Sequence, residues 1–199
     1  MILITVGTEK FPFNRLMTWI DRLIEQQFIN PNEEEIIVQY GSCTIQPQGV
    51  KAYQVLPSQD FQALVAEARL IIAHCGEGSI DLLAKAGKPY ILVPRSGQFG
   101  EHVDDHQVEL ARSLARQQVP IAYTPGDLVR FLQAPVFVEI PATPTQYYAQ
   151  ASQLLHQDLV TLTTPKTRSS RALLPGLASL ANIGNWVARV PAVFSQITA

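Results

Sequence analysis

Near the middle of the chain stands Leu70-Ile71-Ile72-Ala73-His74-Cys75-Gly76-Glu77-Gly78-Ser79-Ile80, and its reading decides the fold. Leu70–His74 is a short run rich in β-branched side chains, which suits a buried strand. Behind it Ile80, Leu83 and Ala84 recur at helical spacing, and Gly87 and Pro89 are stop signals for that helix. A strand that passes through a glycine-rich turn into a helix argues for a parallel sheet with crossover helices.

The same alternation extends outward on both sides. Upstream strands are expected at Ile2–Val6, Ile36–Tyr40 and Ala52–Leu56, and downstream strands at Tyr90–Val93 and Ile121–Tyr123. The first helix is the clearest, because Phe13, Leu16, Met17, Ile20, Leu23 and Ile24 form one stripe, with Pro12 suited to its first turn. Phe61, Leu64, Val65 and Ala68 make a second stripe; Val108, Ala111 and Ala115, with Leu110 and Leu114 beside them, make another. Further helices are expected over Gly126–Gln133 and around Gln146–Gln157. The expected fold is α/β: a Rossmann-like parallel sheet of about six strands with helices on both faces, over residues 1–160. A basic, amphipathic extension, residues 161–199, follows it.

Composition narrows the function classes. Of 199 residues, 47% are hydrophobic and 16% charged, which describes a globular chain with a sizeable core. A formal charge of −2 and no basic run interleaved with aromatics speak against nucleic acid as partner. Cys43 and Cys75 have no metal-ligand spacing, and two thiols in such a chain suggest a reducing compartment. The start, Met1-Ile-Leu-Ile-Thr-Val, lacks a basic region and reads as a strand, so a cytoplasmic location is expected.

In a doubly wound sheet, ligands sit beyond the carboxyl ends of the strands, beside helix N-termini. Three loops there are unusual. Gly7-Thr8-Glu9 follows the first strand; its glycine suits either close approach to an anion or a plain tight turn. His74–Ser79 offers bare amides, a helix dipole and a hydroxyl, the parts of a phosphate cradle. Neither the Walker A nor the Gly-x-Gly-x-x-Gly spacing is present, Ser79 also fits a plain N-cap, and His74 a structural histidine. The third loop, Pro94–Gln107, holds Arg95 and packs His102, His106, Glu101, Asp104 and Asp105 into seven residues. That density invites a metal, but no His-Glu-x-x-His pattern occurs and acids also suit a helix start, so a hydrogen-bonding site ranks above a metal site.

Gly-Thr-Glu-Lys-Phe-Pro-Phe-Asn-Arg-Leu at 7–16, His-Cys-Gly-Glu-Gly-Ser-Ile at 74–80, Gly-Lys-Pro at 87–89 and Glu-His-Val-Asp-Asp-His-Gln at 101–107 occur in that order. Together, over roughly residues 1–135, they resemble the C-terminal domain of family 28 glycosyltransferases. The resemblance extends to the small soluble subunits of two-component enzymes, dolichol-linked N-acetylglucosaminyltransferases and bacterial exopolysaccharide glycosyltransferases. It implies one half of a GT-B enzyme, the half that binds a uridine-diphosphate (UDP) sugar. The acceptor half then comes from a membrane-anchored partner subunit that holds a lipid-linked sugar, for polysaccharide or exopolysaccharide synthesis. It also implies that Gly76, Glu77, Gly78 and Ser79 cradle the diphosphate with Gly7 and Thr8 facing it. His106 and Gln107 would contact the sugar or its phosphates, and Arg95 would line the nucleotide side.

The transfer implied is inverting and requires neither metal nor cofactor, and the general base is a partner residue or one of His74, Glu77 and His102. One departure stands out: relatives carry a glutamate that grips the ribose where this chain has Leu82, with Asp81 one residue earlier. A helical side chain turns by about 100° per residue, so Asp81 points elsewhere. The alternative readings are a non-catalytic nucleotide-sugar sensor or scaffold, and a nucleotide-sugar 2-epimerase, for which the chain is too short to supply both halves. In the extension no acid follows Asp158, while Lys166, Arg168, Arg171 and Arg189 are basic. Pro175–Val190 reads as an amphipathic helix for a membrane interface, a partner or its own domain, too short to cross a bilayer.

Overall fold

A computed structural model describes residues 1–140 of the chain. Five parallel strands form its sheet: β1 (Ile2–Thr5), β2 (Ile36–Gln39), β3 (Lys51–Tyr53), β4 (Leu70–His74) and β5 (Tyr90–Val93), in the order β3-β2-β1-β4-β5. α1 (Asn14–Glu25), α2 (Ser58–Glu67) and α3 (Glu77–Ala86) connect strands, and α4 (His106–Ala115) and α5 (Pro125–Gln133) follow β5. A 3-10 turn over Gly97–Phe99 precedes α4.

Side chains alternate across a strand, so one strand feeds two cores. Ile2 and Ile4 of β1 pack with Leu16, Met17, Ile20 and Leu23 of α1 and Leu128 of α5. Leu3 faces the opposite way, into a cluster with Val65 of α2, Ile80 and Leu83 of α3, and Ala111 and Leu114 of α4. Both faces of the sheet are therefore covered, which is why its strands read as near-continuous apolar runs.

Where the elements differ from expectation, local hydrogen bonding gives the reason. The expected sixth strand is one parallel bridge between Ile121 and Leu92. It cannot extend, because Asp127 of α5 takes the N–H groups of Tyr123 and Thr124, each at 3.0 Å, in a capping box. β3 ends at Tyr53, short of the expected Leu56, and the chain turns at Pro57 into α2. α1 starts at Asn14 behind Phe13, so Pro12 lies outside its first turn. Gly87 closes α3 with φ +61°, the left-handed conformation that glycine adopts without strain. The expected helix around Gln146–Gln157 and the basic extension lie outside the described residues.

Strand order locates the crevice. From β1 the chain runs to β2 and β3 on one side, then crosses to β4 on the other. The carboxyl ends of β1 and β4 therefore flank the point where the winding reverses, the place where open α/β sheets bind ligands.

Candidate functional site

At that switch point two glycine loops close around a histidine. Gly7, just past β1, has φ +75°, and a Cβ there would lie 2.4 Å from His74 Cε1. Gly76, the N-cap of α3, has an ordinary extended backbone (φ −92°, ψ 149°), but a Cβ there would lie 2.7 Å from His74 Nε2. Both glycines are thus required by the imidazole packed between them. Ser79 Oγ is 3.1 Å from His74 Nδ1, so Ser79 pairs with the ring and does not cap the helix. Burial, reinforced by the positive charge of Arg95, lowers the His74 pKa to about 4. The ring is neutral at physiological pH.

Gly78 differs from its neighbours. A Cβ there meets nothing within 4 Å, so no part of the described chain demands glycine at this position. Gly78 and Ser79 line a cleft of about 400 Å³ with Gly7, Thr8 and His74. The cleft's remaining wall is largely apolar and includes Val55, Leu56, Phe61 and Leu82. In the first turn of any helix the N–H groups lack intrahelical acceptors, and the dipole there is positive. A cleft lined by that terminus, by two glycine loops and by apolar side chains suits an amphipathic anion such as a nucleoside diphosphate.

The third loop is held by buried charge. Arg95 is fully buried; Nη1 donates to Phe11 O (2.7 Å) and Glu101 O (3.0 Å), and Nη2 to Val6 O (2.7 Å). Its guanidinium stacks on Phe13, 4.9 Å from the ring centroid. This corrects the expectation that Arg95 lines the nucleotide side: it ties the β1–α1 loop to the β5–α4 loop from inside. Glu101, also buried, accepts two hydrogen bonds from Arg15, at 2.9 and 2.8 Å, and one from Ser96 N at 3.1 Å. Asp105 accepts from Ser96 Oγ (2.7 Å) and Gly97 N (2.9 Å), so it pins the loop.

Gln107 is nearly buried, and its Oε1 accepts from Arg95 N at 3.2 Å. His106, first residue of α4, is exposed, with Nε2 3.7 Å from Glu77 Oε1 across the gap to α3. His102 pairs with Asp104 through Nδ1 at 2.8 Å. Among the described residues no three His, Cys, Asp or Glu side chains are grouped to hold a metal ion. Cys43 and Cys75 are free and buried, and burial raises both thiols, Cys75 to about 12.

The sequence reading missed Gln39. It is 4% exposed at the end of β2, where Oε1 accepts from Thr5 Oγ1 (2.6 Å) and Gly7 N (3.2 Å). Its Nε2 donates to Gly7 O (2.9 Å) and Gln54 O (3.1 Å). A lone amide ending the apolar run Ile36-Ile37-Val38, at the carboxyl end of a strand, was the available signal.

Comparison with known proteins defines the class. The glycosyltransferase family 28 C-terminal domain matches residues 1–137, and the chain belongs to that family. It is 32% identical over 95 residues to the UDP-N-acetylglucosamine--N-acetylmuramyl-(pentapeptide) pyrophosphoryl-undecaprenol N-acetylglucosamine transferase of Granulibacter bethesdensis, covering 48% of this chain and 22% of that protein. The protein of the same name from Solibacter usitatus is 47% identical over 57 residues, or 29% of this chain and 15% of the relative. The chain thus spans less than a quarter of the length of these relatives. Among solved structures, the kitacinnamycin glycosyltransferase aligns at 15% identity, 82% of this chain, 43% of its own and TM-score 0.49. For CalG4, the calicheamicin glycosyltransferase, the values are 15%, 81%, 44% and 0.49.

Proposed function

We propose that the chain is the donor-binding half of a GT-B glycosyltransferase, and that a second polypeptide supplies the acceptor half. The observation that carries this reading is Gly78: it is a bare patch of backbone in the cleft, on the first turn of α3, where nothing in the described chain needs glycine. Family membership gives the patch its ligand class, a nucleotide sugar whose diphosphate lies against that turn. The curated relatives are named as transferring a sugar from a UDP donor to a lipid-linked acceptor, and we carry both over as this chain's substrates. We place the acceptor half on a separate, membrane-anchored subunit, as the resemblance to two-component enzymes implies.

In the transfer, the acceptor hydroxyl oxygen forms a bond to the anomeric carbon on the face opposite the diphosphate. The bond from that carbon to the β-phosphate oxygen breaks, and UDP leaves with the electron pair. Negative charge grows on the departing oxygen, where the α3 amides and dipole, the Ser79 hydroxyl and the Gly7–Thr8 loop stabilise it. The hydroxyl proton passes to a base on the partner, or to Glu77 or His102. His74, held neutral with a pKa of about 4, is too weak a base for this step near pH 7. His106 and Gln107 follow as contacts to the sugar, His106 by direct reach and Gln107 by shaping the α4 start.

No helix among the described residues is long and apolar enough to cross a membrane. We assign membrane contact to the partner or to the basic extension, residues 161–199. The setting is the cytoplasmic membrane face in polysaccharide synthesis. One observation favours a non-catalytic sensor as the second reading: Leu82, an apolar residue, stands in the cleft wall. The first test is calorimetric titration of the purified full chain with UDP and several UDP-sugars. Saturable binding that weakens in Ser79→Ala and His106→Ala is expected. Absence of binding would remove the donor site from the account.

A further inference from the structure

We infer that Gln39 is a positioning residue for the nucleotide diphosphate: from β2 it sets the Gly7–Thr8 loop in the conformation that faces the ligand. The inference rests on the donor-site reading above and adds to it a residue that belongs to neither glycine loop. Gly7 sits with φ +75°, one of several conformations open to glycine, so its neighbours have to select it. His74 closes one side. Gln39 holds the other, accepting from Gly7 N at 3.2 Å while donating to Gly7 O at 2.9 Å. A primary amide carries an acceptor oxygen and a donor nitrogen side by side, so it can accept from the N–H and donate to the C=O of the same residue at once.

The amide's own orientation is fixed from outside the loop. Thr5 Oγ1 donates to Oε1 at 2.6 Å, which leaves Nε2 to face two carbonyls, Gly7 O and Gln54 O. The backbone next to it is cut to fit: a Cβ on Gly41, whose φ is +56°, would lie 2.6 Å from Gly7 O. Gln39 also lines the cleft beside Gly7 and Thr8. A fully partnered, buried amide of this kind specifies one arrangement, because any other strands a donor or an acceptor. The arrangement it specifies is that of the loop turned toward the α3 N-terminus.

The test uses the full chain, titrated with UDP at pH 7.5 and 5.5, with thermal unfolding recorded on the same samples. Gln39→Leu removes both functions of the amide, and UDP Kd is expected to rise tenfold or more. Gln39→Glu keeps the length but sets an oxygen against Gly7 O and Gln54 O. Burial and those carbonyls raise its pKa, and once protonated its O–H replaces one of the two lost donors. The ratio of its Kd to that of wild type is therefore expected to fall toward one as pH drops, a change that mere loss of packing does not produce. Thr5→Val, which leaves Gln39 in place but frees its amide to rotate and removes the second acceptor of Gly7 N at 3.3 Å, serves if the Gln39 variants do not fold, with a smaller rise expected. Wild-type affinity in folded variants with lowered melting temperature, and a ratio indifferent to pH, would overturn the inference while leaving the donor site standing. Failure of the wild type to bind UDP would overturn both.

Discussion

Gly78→Ala separates a ligand surface from a structural turn, because it moves stability and binding in opposite directions. Gly78 is the second residue of α3, its φ is not left-handed, and a Cβ there meets nothing within 4 Å. Alanine is favoured over glycine inside a helix by about 0.5–1 kcal/mol. For a chain of this size that corresponds to roughly 1–4 °C in melting temperature. The new methyl stands in the cleft, over the first-turn amides. A diphosphate held off them loses at least one hydrogen bond to a charged group, worth about 1.5–3 kcal/mol, or roughly a 10- to 150-fold rise in Kd. Differential scanning calorimetry and UDP titration on one preparation read both effects. A variant that melts higher and binds UDP as the wild type does would refute the assignment of Gly78 to the ligand.

Three further outcomes are expected. Gly76→Ala drives a methyl into the His74 ring, which Gly7 blocks on its other side, so it loses about 1–3 kcal/mol by overpacking. Adding His74→Ala relieves the clash, so in chemical denaturation the double variant falls short of the sum of the singles by at least about 1 kcal/mol; full additivity counts against the sandwich. The His74 pKa in the folded chain, about 4, lies below the ordinary 6.5, so the unfolded chain takes the proton first. That contribution to stability is complete above about pH 6.5 and is lost as pH falls toward 4. Between pH 7 and pH 5 the wild type should lose about 2 kcal/mol more than His74→Gln in urea denaturation, and parallel losses would place the ring in solvent. Arg95→Met keeps the stem but leaves the carbonyls of Val6, Phe11 and Glu101 without their donor; the urea midpoint should fall by the equivalent of about 3 kcal/mol or more, and an unchanged midpoint would show that the hub is dispensable.

The sheet was legible because its signals are local. Leu70–His74 and Tyr90–Val93 are buried on both faces and read as unbroken apolar runs, and the α1 stripe follows from the helical period alone. The loops after β1 and β4 were legible too, since their glycines mark strand-to-helix passages; the strand order that sets them side by side was not. The partners of buried polar groups were not. Arg95, through its two terminal nitrogens, and Gln39 bond main-chain atoms from loops far along the chain, such as Phe11 O and Gly7 O. A sequence does not display which carbonyls will converge on an arginine, so Arg95, in a loop beyond a strand, read as a ligand contact. Gly76 was taken as phosphate-facing for the same reason, although the His74 ring also requires it. The sixth strand failed on a three-residue contest that the Thr124–Asp127 capping box wins.

If this chain is the donor half of a split enzyme, the purified full chain mixed with membranes containing the membrane protein encoded beside it should move label from one labelled UDP-sugar into lipid. Transfer should need both components and be lost with Gly78→Ala. Transfer by the membranes alone, or none from any donor although the chain binds UDP, would contradict the split-enzyme reading.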